Sequence, residues 1–141
     1  MLQCHVDNPA ARRYDIITVG SSTEDVMVKC SDARVITLAD RNGAAAWMAF
    51  EYGGKIHVDD MTIMVGGGAV NTAITFVQQG MRTAMISKVG RDSAGERIAG
   101  RIEEAGALTH LMAYSETSGT GYSTIITTFT GERTILVHRG A

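Results

Sequence analysis

Three consecutive glycines, Gly66-Gly67-Gly68, with Asn71 three residues later, are the residues of this sequence best suited to chemistry. Glycine admits positive φ and lets a ligand lie against the backbone. A helix that starts there offers unpaired N–H groups to the same ligand. Asn71, one turn in, carries both a donor and an acceptor. Such a site suits a polyol or a phosphate. The same residues also serve as a tight turn that only packs a helix on a sheet, and glycines alone do not separate the two. Two nucleotide-binding patterns fail by residue: Asn71 stands where the third glycine of Gly-x-Gly-x-x-Gly belongs, and Gly-Lys-Ser/Thr occurs nowhere.

Other polar constellations are weaker. Cys4, His5 and Cys30 fit no zinc spacing, so no metal site is expected. His57-x-Asp59-Asp60 reads as a solvated turn, and Met27, Met61 and Met64 as packing. Arg91, Arg97 and Arg101 read as a solvated helix side, and Asp92 as a helix N-cap rather than a ligand contact.

The elements that must position the glycines follow from periodicity. Residues 14–19, ended by Gly20, form a short apolar run of the kind a buried strand shows, and 26–29 form another. Residues 34–39 suit a strand, 44–52 a helical turn or a strand, and 55–65 a strand. After the glycines, Val70, Ala73, Ile74 and Val77 make one helical face that Gly80 closes. A strand over 84–89 ends at Gly90. A helix capped by Asp92 or Ser93 then carries Ile98, Ile102 and Ala105 on one face and stops at Gly106. Residues 110–114 suit a strand, and 120–129 and 134–138 a hairpin turned at Thr130-Gly131-Glu132-Arg133. The middle thus alternates strand and helix, which predicts a parallel sheet with crossover helices. The β-rich pieces at 26–65 and 120–138 predict a smaller second sheet.

Composition bounds the rest. At 141 residues the chain has room for one domain. A net charge of −2 carries no nucleic-acid footprint. Two cysteines make no disulfide framework, which points to a reducing cytoplasmic setting. Residues 1–13 read as a loose leader without the apolar stretch of a signal peptide, and no apolar run approaches the ~18 residues of a membrane span. Sixteen glycines against one proline, well above the roughly 7% usual for glycine, make glycine the main chain-breaker.

The run from Gly66 to Gly90 resembles the first signature of the ribokinase-like (PfkB) carbohydrate kinases. Gly66-Gly67, Ala69, Asn71, Ala73, Gly80 and Gly90 stand in register with it. The opening Asp15 to Gly20 with Asp25 resembles the family's first strand and its sugar-binding aspartate. Gly90-Arg91-Asp92-Ser93-Ala94-Gly95 resembles the turn that follows. Thr120-Gly121 through Gly131-Glu132-Arg133-Thr134, and His138 to Ala141, resemble the family's later lid strand and the strand after it. The likeness runs from about residue 14 to the last residue.

The resemblance implies an α/β core with a β-sheet lid, the lid strands falling at about 26–65 and 120–130, and a substrate held by Asp25, Gly67, Gly68 and Asn71. It implies ATP and Mg2+ as cofactors of the full-length enzyme and a homodimer formed through the lid. No Gly-Ala-Gly-Asp turn, the family's anion hole and base, occurs here. The expectation is therefore the substrate-binding, N-terminal half of a sugar or nucleoside kinase, truncated before the nucleotide-binding half. This chain alone would hold no catalytic residue and be inactive. The alternative is a non-catalytic remnant that binds a polyol or pairs with other subunits. A nicotinamide-dependent oxidoreductase would rest on the glycine loop alone.

Overall fold

A computed structural model describes residues 13–141. The leader expected over 1–13, with Cys4 and His5, lies outside the described residues except for Arg13. The elements in chain order are β1 (Ile16–Val19), β2 (Thr23–Lys29), β3 (Arg34–Asp40), β4 (Gly43–Ala49), β5 (Asp60–Gly66), α1 (Gly68–Gln78), β6 (Thr83–Ile86), β7 (Lys88–Gly90), α2 (Ser93–Glu104), β8 (Ala113–Ser115), β9 (Gly121–Thr127) and β10 (Arg133–His138). The chain divides into two compact units. The first holds the segment ending at Glu24, then Val65–Gly121 and Gly140–Ala141; the second holds Asp25–Met64 and Tyr122–Arg139.

The first unit is α/β. β1 pairs in parallel with β6, and β7 in parallel with β8. A single parallel bridge, Ala84 to Leu108, adds the chain after α2. Both helices follow the predicted faces. α1 buries Ala69, Val70 and Ala73; Gly80, at φ +80°, follows its cap residue Gln79. α2 buries Ile98 and Ile102, and Asp92 caps it by accepting from the Gly95 N–H at 2.8 Å. Ala105 is the C-cap, just past the helical face assigned to it. These side chains meet Met85, Val89, Ala107 and Met112 in one apolar cluster. Parallel strands need both faces covered, and β6 accordingly buries Thr83, Ala84 and Met85 in succession.

The strand expected over 84–89 is two strands broken at Ser87. The Ser87 hydroxyl donates to the Gly20 carbonyl at 2.8 Å and bonds the Ser22 hydroxyl at 2.7 Å. The strand placed at 110–114 is the shorter β8, because Thr109 to Met112 close a turn through the Met112 N–H to the Thr109 carbonyl. The expected parallel sheet is thus a set of two-stranded parallel pairs.

The second unit is β. A four-stranded sheet runs β10-β9-β2-β5, with β9 and β10 antiparallel around the predicted turn. The Gly131 N–H bonds the Thr128 carbonyl there, and Gly131 has φ +83°. β3 and β4 form a separate antiparallel ribbon, from Arg34 opposite Ala49 to Asp40 opposite Gly43. Residues 44–49 are therefore strand, not helical turn. At its tip Asp40 accepts from the Asn42 N–H at 2.7 Å, an Asx turn. Residues 55–59 join no ladder; the Asp59 N–H bonds the Lys29 carbonyl, and its carboxylate accepts from the Ser31 N–H. Among the described residues, no group of three or more His, Cys, Asp or Glu is placed to hold a metal ion. No described helix is long and apolar enough to cross a membrane.

Apolar side chains of this unit stay largely at the surface. A lid exposing Val26, Val28, Ile63, Val65, Ile125 and Ile126 on one face would carry an apolar patch. Val26 is instead buried, and Ile125 and Ile126, as neighbours, point to opposite faces. The exposed large apolar residues include Leu38, Trp47, Met61, Ile63, Leu136 and Val137. Met61 and Met64 are likewise exposed rather than packed.

Candidate substrate site

Gly67, Gly68 and Asn71 come together at the start of α1. Gly67 is its N-cap, at φ +100° and ψ 152°, a conformation open to glycine and few others. A Cβ there would lie 2.4 Å from the Ser21 carbonyl oxygen, so the glycine is also fixed by a backbone crossing. Gly68 differs: a Cβ at that position would meet nothing within 4 Å. Asn71 is exposed, its own N–H closing the first helical bond to the Gly67 carbonyl at 3.0 Å.

The helix start is less open than its glycines suggest. The Ala69 N–H donates to the Ser21 carbonyl at 3.1 Å, and the Gly68 N–H to the Ser21 hydroxyl at 3.3 Å. The loop after β1 thus occupies two of the amides expected to be unpaired, which disfavours a phosphate cradle. What remains is glycine backbone beside open space and the Asn71 amide, which suit a hydroxyl compound better than an anion.

Asp25 lies in the second unit, half-buried within β2 rather than in the loop after β1. Its neighbour Glu24, in the first unit, is buried and paired with Arg97 of α2. Arg97 is exposed, as expected of a solvated helix side, yet its guanidinium pairs with a residue 73 positions away that local pattern does not reveal. Arg91 is likewise engaged, with Glu116 and over the Tyr114 ring. Asp92 does more than cap. Its carboxylate also accepts from the N–H of Thr120 at 2.8 Å and from its hydroxyl at 2.6 Å. These bonds from Thr120 and that from Gly95 hold its carboxyl below the ordinary 3.8.

The Gly66–Gly90 segment matches a known sequence family. The family model described as "pfkB family carbohydrate kinase" matches residues 35–141. The chain belongs to the pfkB family. Asp25 falls outside the matched stretch. No curated protein sequence matches the chain. Among solved structures, the chain is similar to Sa239, at 22% identity and TM-score 0.72, over 91% of this chain and 37% of that one. It is similar to an Arabidopsis thaliana ribokinase complexed with ribose and ATP, at 20% and 0.69, over 89% and 36%. It is also similar to a Burkholderia thailandensis nucleoside kinase in complex with inosine, at 16% and 0.68, over 89% and 36%. At these identities the likeness establishes the fold: ribokinase-like α/β, with parallel and antiparallel strand pairs and crossover helices. The chain spans little more than a third of the length of these structures.

Members of this family generally use ATP with Mg2+. The described residues do not fit that pair: they include neither a carboxylate cluster for the metal nor a Gly-Ala-Gly-Asp turn.

Proposed function

We propose that this chain is the substrate-binding part of an ATP-dependent kinase for a sugar or nucleoside. The observation that carries the reading is the start of α1, where Gly68 backbone faces open space beside the exposed Asn71. A ring bearing hydroxyls would lie against Gly67 and Gly68. Asn71 would donate to one hydroxyl oxygen and accept from another, and Asp25 would accept from two. The strands of the second unit would act as the lid. In the whole protein the substrate hydroxyl would attack the γ-phosphorus of Mg2+-ATP, with ADP leaving. The hydroxyl proton would pass to a base, which we place in the part of the family fold that this chain does not span. The bound ribose and inosine of the two relatives support a hydroxyl-rich ligand of either class. The exposed apolar strands of the second unit support pairing with a second copy.

Calorimetric titration of the chain with ribose, fructose, adenosine and inosine tests this. At least one should bind. Gly68→Ala and Asn71→Ala should each weaken it about tenfold, the loss of one to two hydrogen bonds or of close approach. Gly68→Ala should leave the unfolding midpoint in place or raise it, since Ala favours the helix. Absence of binding across the panel would overturn the reading. Binding without detectable phosphoryl transfer by the whole protein would favour a non-catalytic polyol-binding module instead.

A further inference from the structure

Residues directly opposite each other in the β3–β4 ribbon share a face, as do alternate residues along each strand. One face therefore carries Arg34, Ile36, Leu38 and Asp40 along β3 and, opposite them, Ala49, Trp47, Ala45 and Gly43 along β4. Ile36, Leu38 and Trp47 on it are 48, 61 and 50% exposed. An open groove of about 500 Å3 lies against Leu38, Asp40, Gly43, Ala45 and Trp47. The face is thus graded along its length. Its Arg34 end is basic and carries the bulky Trp47; its Asp40 end is acidic and hollow over Ala45 and Gly43. Neither Arg34 nor Asp40 joins an ion pair among the described residues. All of these residues belong to the second unit.

Two copies of such a face can meet about either of two twofold axes, and the two differ. An axis along the strands sets Arg34 over Ala49 and Asp40 over Gly43, so that both charges meet small apolar residues. An axis across the strands, between Ile36 and Leu38, lays β3 on β3 and β4 on β4 in reverse order. Arg34 then meets Asp40 of the second copy twice over, Ile36 meets Leu38, and Trp47 meets the hollow at Ala45. Charge and size are complementary only in the second arrangement. We propose that the partner of this ribbon face is the same face of a second copy, related by the twofold axis that crosses the strands. This rests on the pairing with a second copy proposed above, and on nothing said there of a ligand. Two short ribbons make a small contact, so the dimer belongs among weak, concentration-dependent ones.

Sedimentation equilibrium over a concentration series tests this with Arg34→Glu, Asp40→Lys, their equimolar mixture and Trp47→Ser. The unaltered chain should dimerise. Each charge variant alone sets like charges together twice and should dimerise about tenfold more weakly. The mixture should recover the original strength, because in the mixed pair the new glutamate faces the new lysine while Asp40 faces Arg34. Trp47→Ser should weaken the dimer about thirtyfold, as loss of a central aromatic anchor does. Circular dichroism should show all variants folded. Should Asp40→Lys unfold through loss of its bond from the Asn42 N–H, the comparison of Arg34→Glu with the unaltered chain still decides. A chain that is monomeric throughout would overturn both the pairing and this surface. A dimer indifferent to the charge and Trp47 variants, or a mixture no stronger than its components, would overturn this surface alone. So would a dimer lost instead on Ile63→Ser or Leu136→Ser.

Discussion

The two units are built on opposite balances of burial and ladder. In the first, Ala69, Val70, Ala73, Met85, Val89, Ile98 and Ile102 are fully buried in one cluster. In the second, the buried apolar residues are Val26, Cys30 and Ala33, and beside them Val28, Cys30, Phe50, Ile56, Val58 and Ile126 line an open apolar groove of about 210 Å3. The ribbon β3–β4 is exposed along most of its length, and an isolated two-stranded ribbon is at best marginal in water. Side-chain packing holds the first unit; backbone pairing carries more of the second.

Substitutions can break that contrast. The largest effect should come from the packed cluster: Ile98→Ala should cost about 2–5 kcal/mol in denaturant unfolding, for lost transfer energy and the cavity left behind. Gly67→Ala should follow closely. Its Cβ would strike the Ser21 carbonyl in a backbone conformation that itself costs roughly 1–3 kcal/mol for a non-glycine residue.

Asp92→Ala should cost about 0.5–2 kcal/mol, the usual range for a lost N-cap. Its pH dependence has a definite sign. The folded carboxyl titrates below its ordinary 3.8, so its contribution is present above that value and disappears as pH falls through the lower folded value. Asp92→Asn should flatten the acid limb of the stability curve below pH 3.8, read by thermal unfolding across a pH series.

The smallest folding effect should come from the ribbon. Leu38→Ser with Trp47→Ser should change stability by no more than about 0.5 kcal/mol per site while lowering the mass seen in light scattering. A loss there as large as that of Ile98→Ala would show that the second unit has a core of its own.

How much of this the sequence disclosed follows the same division. Both helices were legible, because glycines bracket them, the 3.6-residue period is clear, and Asp92 stands at a capping position. The hairpin at Gly131 was legible from its turn residues. The ribbon was not: Ala44-Ala45-Ala46 carries no alternation, so its pairing with β3 left no local trace. The break at Ser87 was hidden because its hydroxyl partners, Gly20 and Ser22, lie 67 and 65 residues away. The Glu24–Arg97 pair was hidden for the same reason. Gly67, Gly68 and Asn71 stand at one helix start, which the glycine run and the helical period made legible, but nothing local disclosed that Ser21 takes two of its amides.

The exposed ribbon leaves the chain room to change in length. Its tip at Arg41-Asn42 ends an excursion that leaves after β2 and returns at β5, while β1 keeps its register with β6. Extra residues spliced in there would only enlarge a loop that is already closed, at about 0.6 kcal/mol per doubling of length. Descendants of one ancestor could lengthen or trim that arm freely, and an affinity tag could ride on it, without disturbing the helix that bears Asn71.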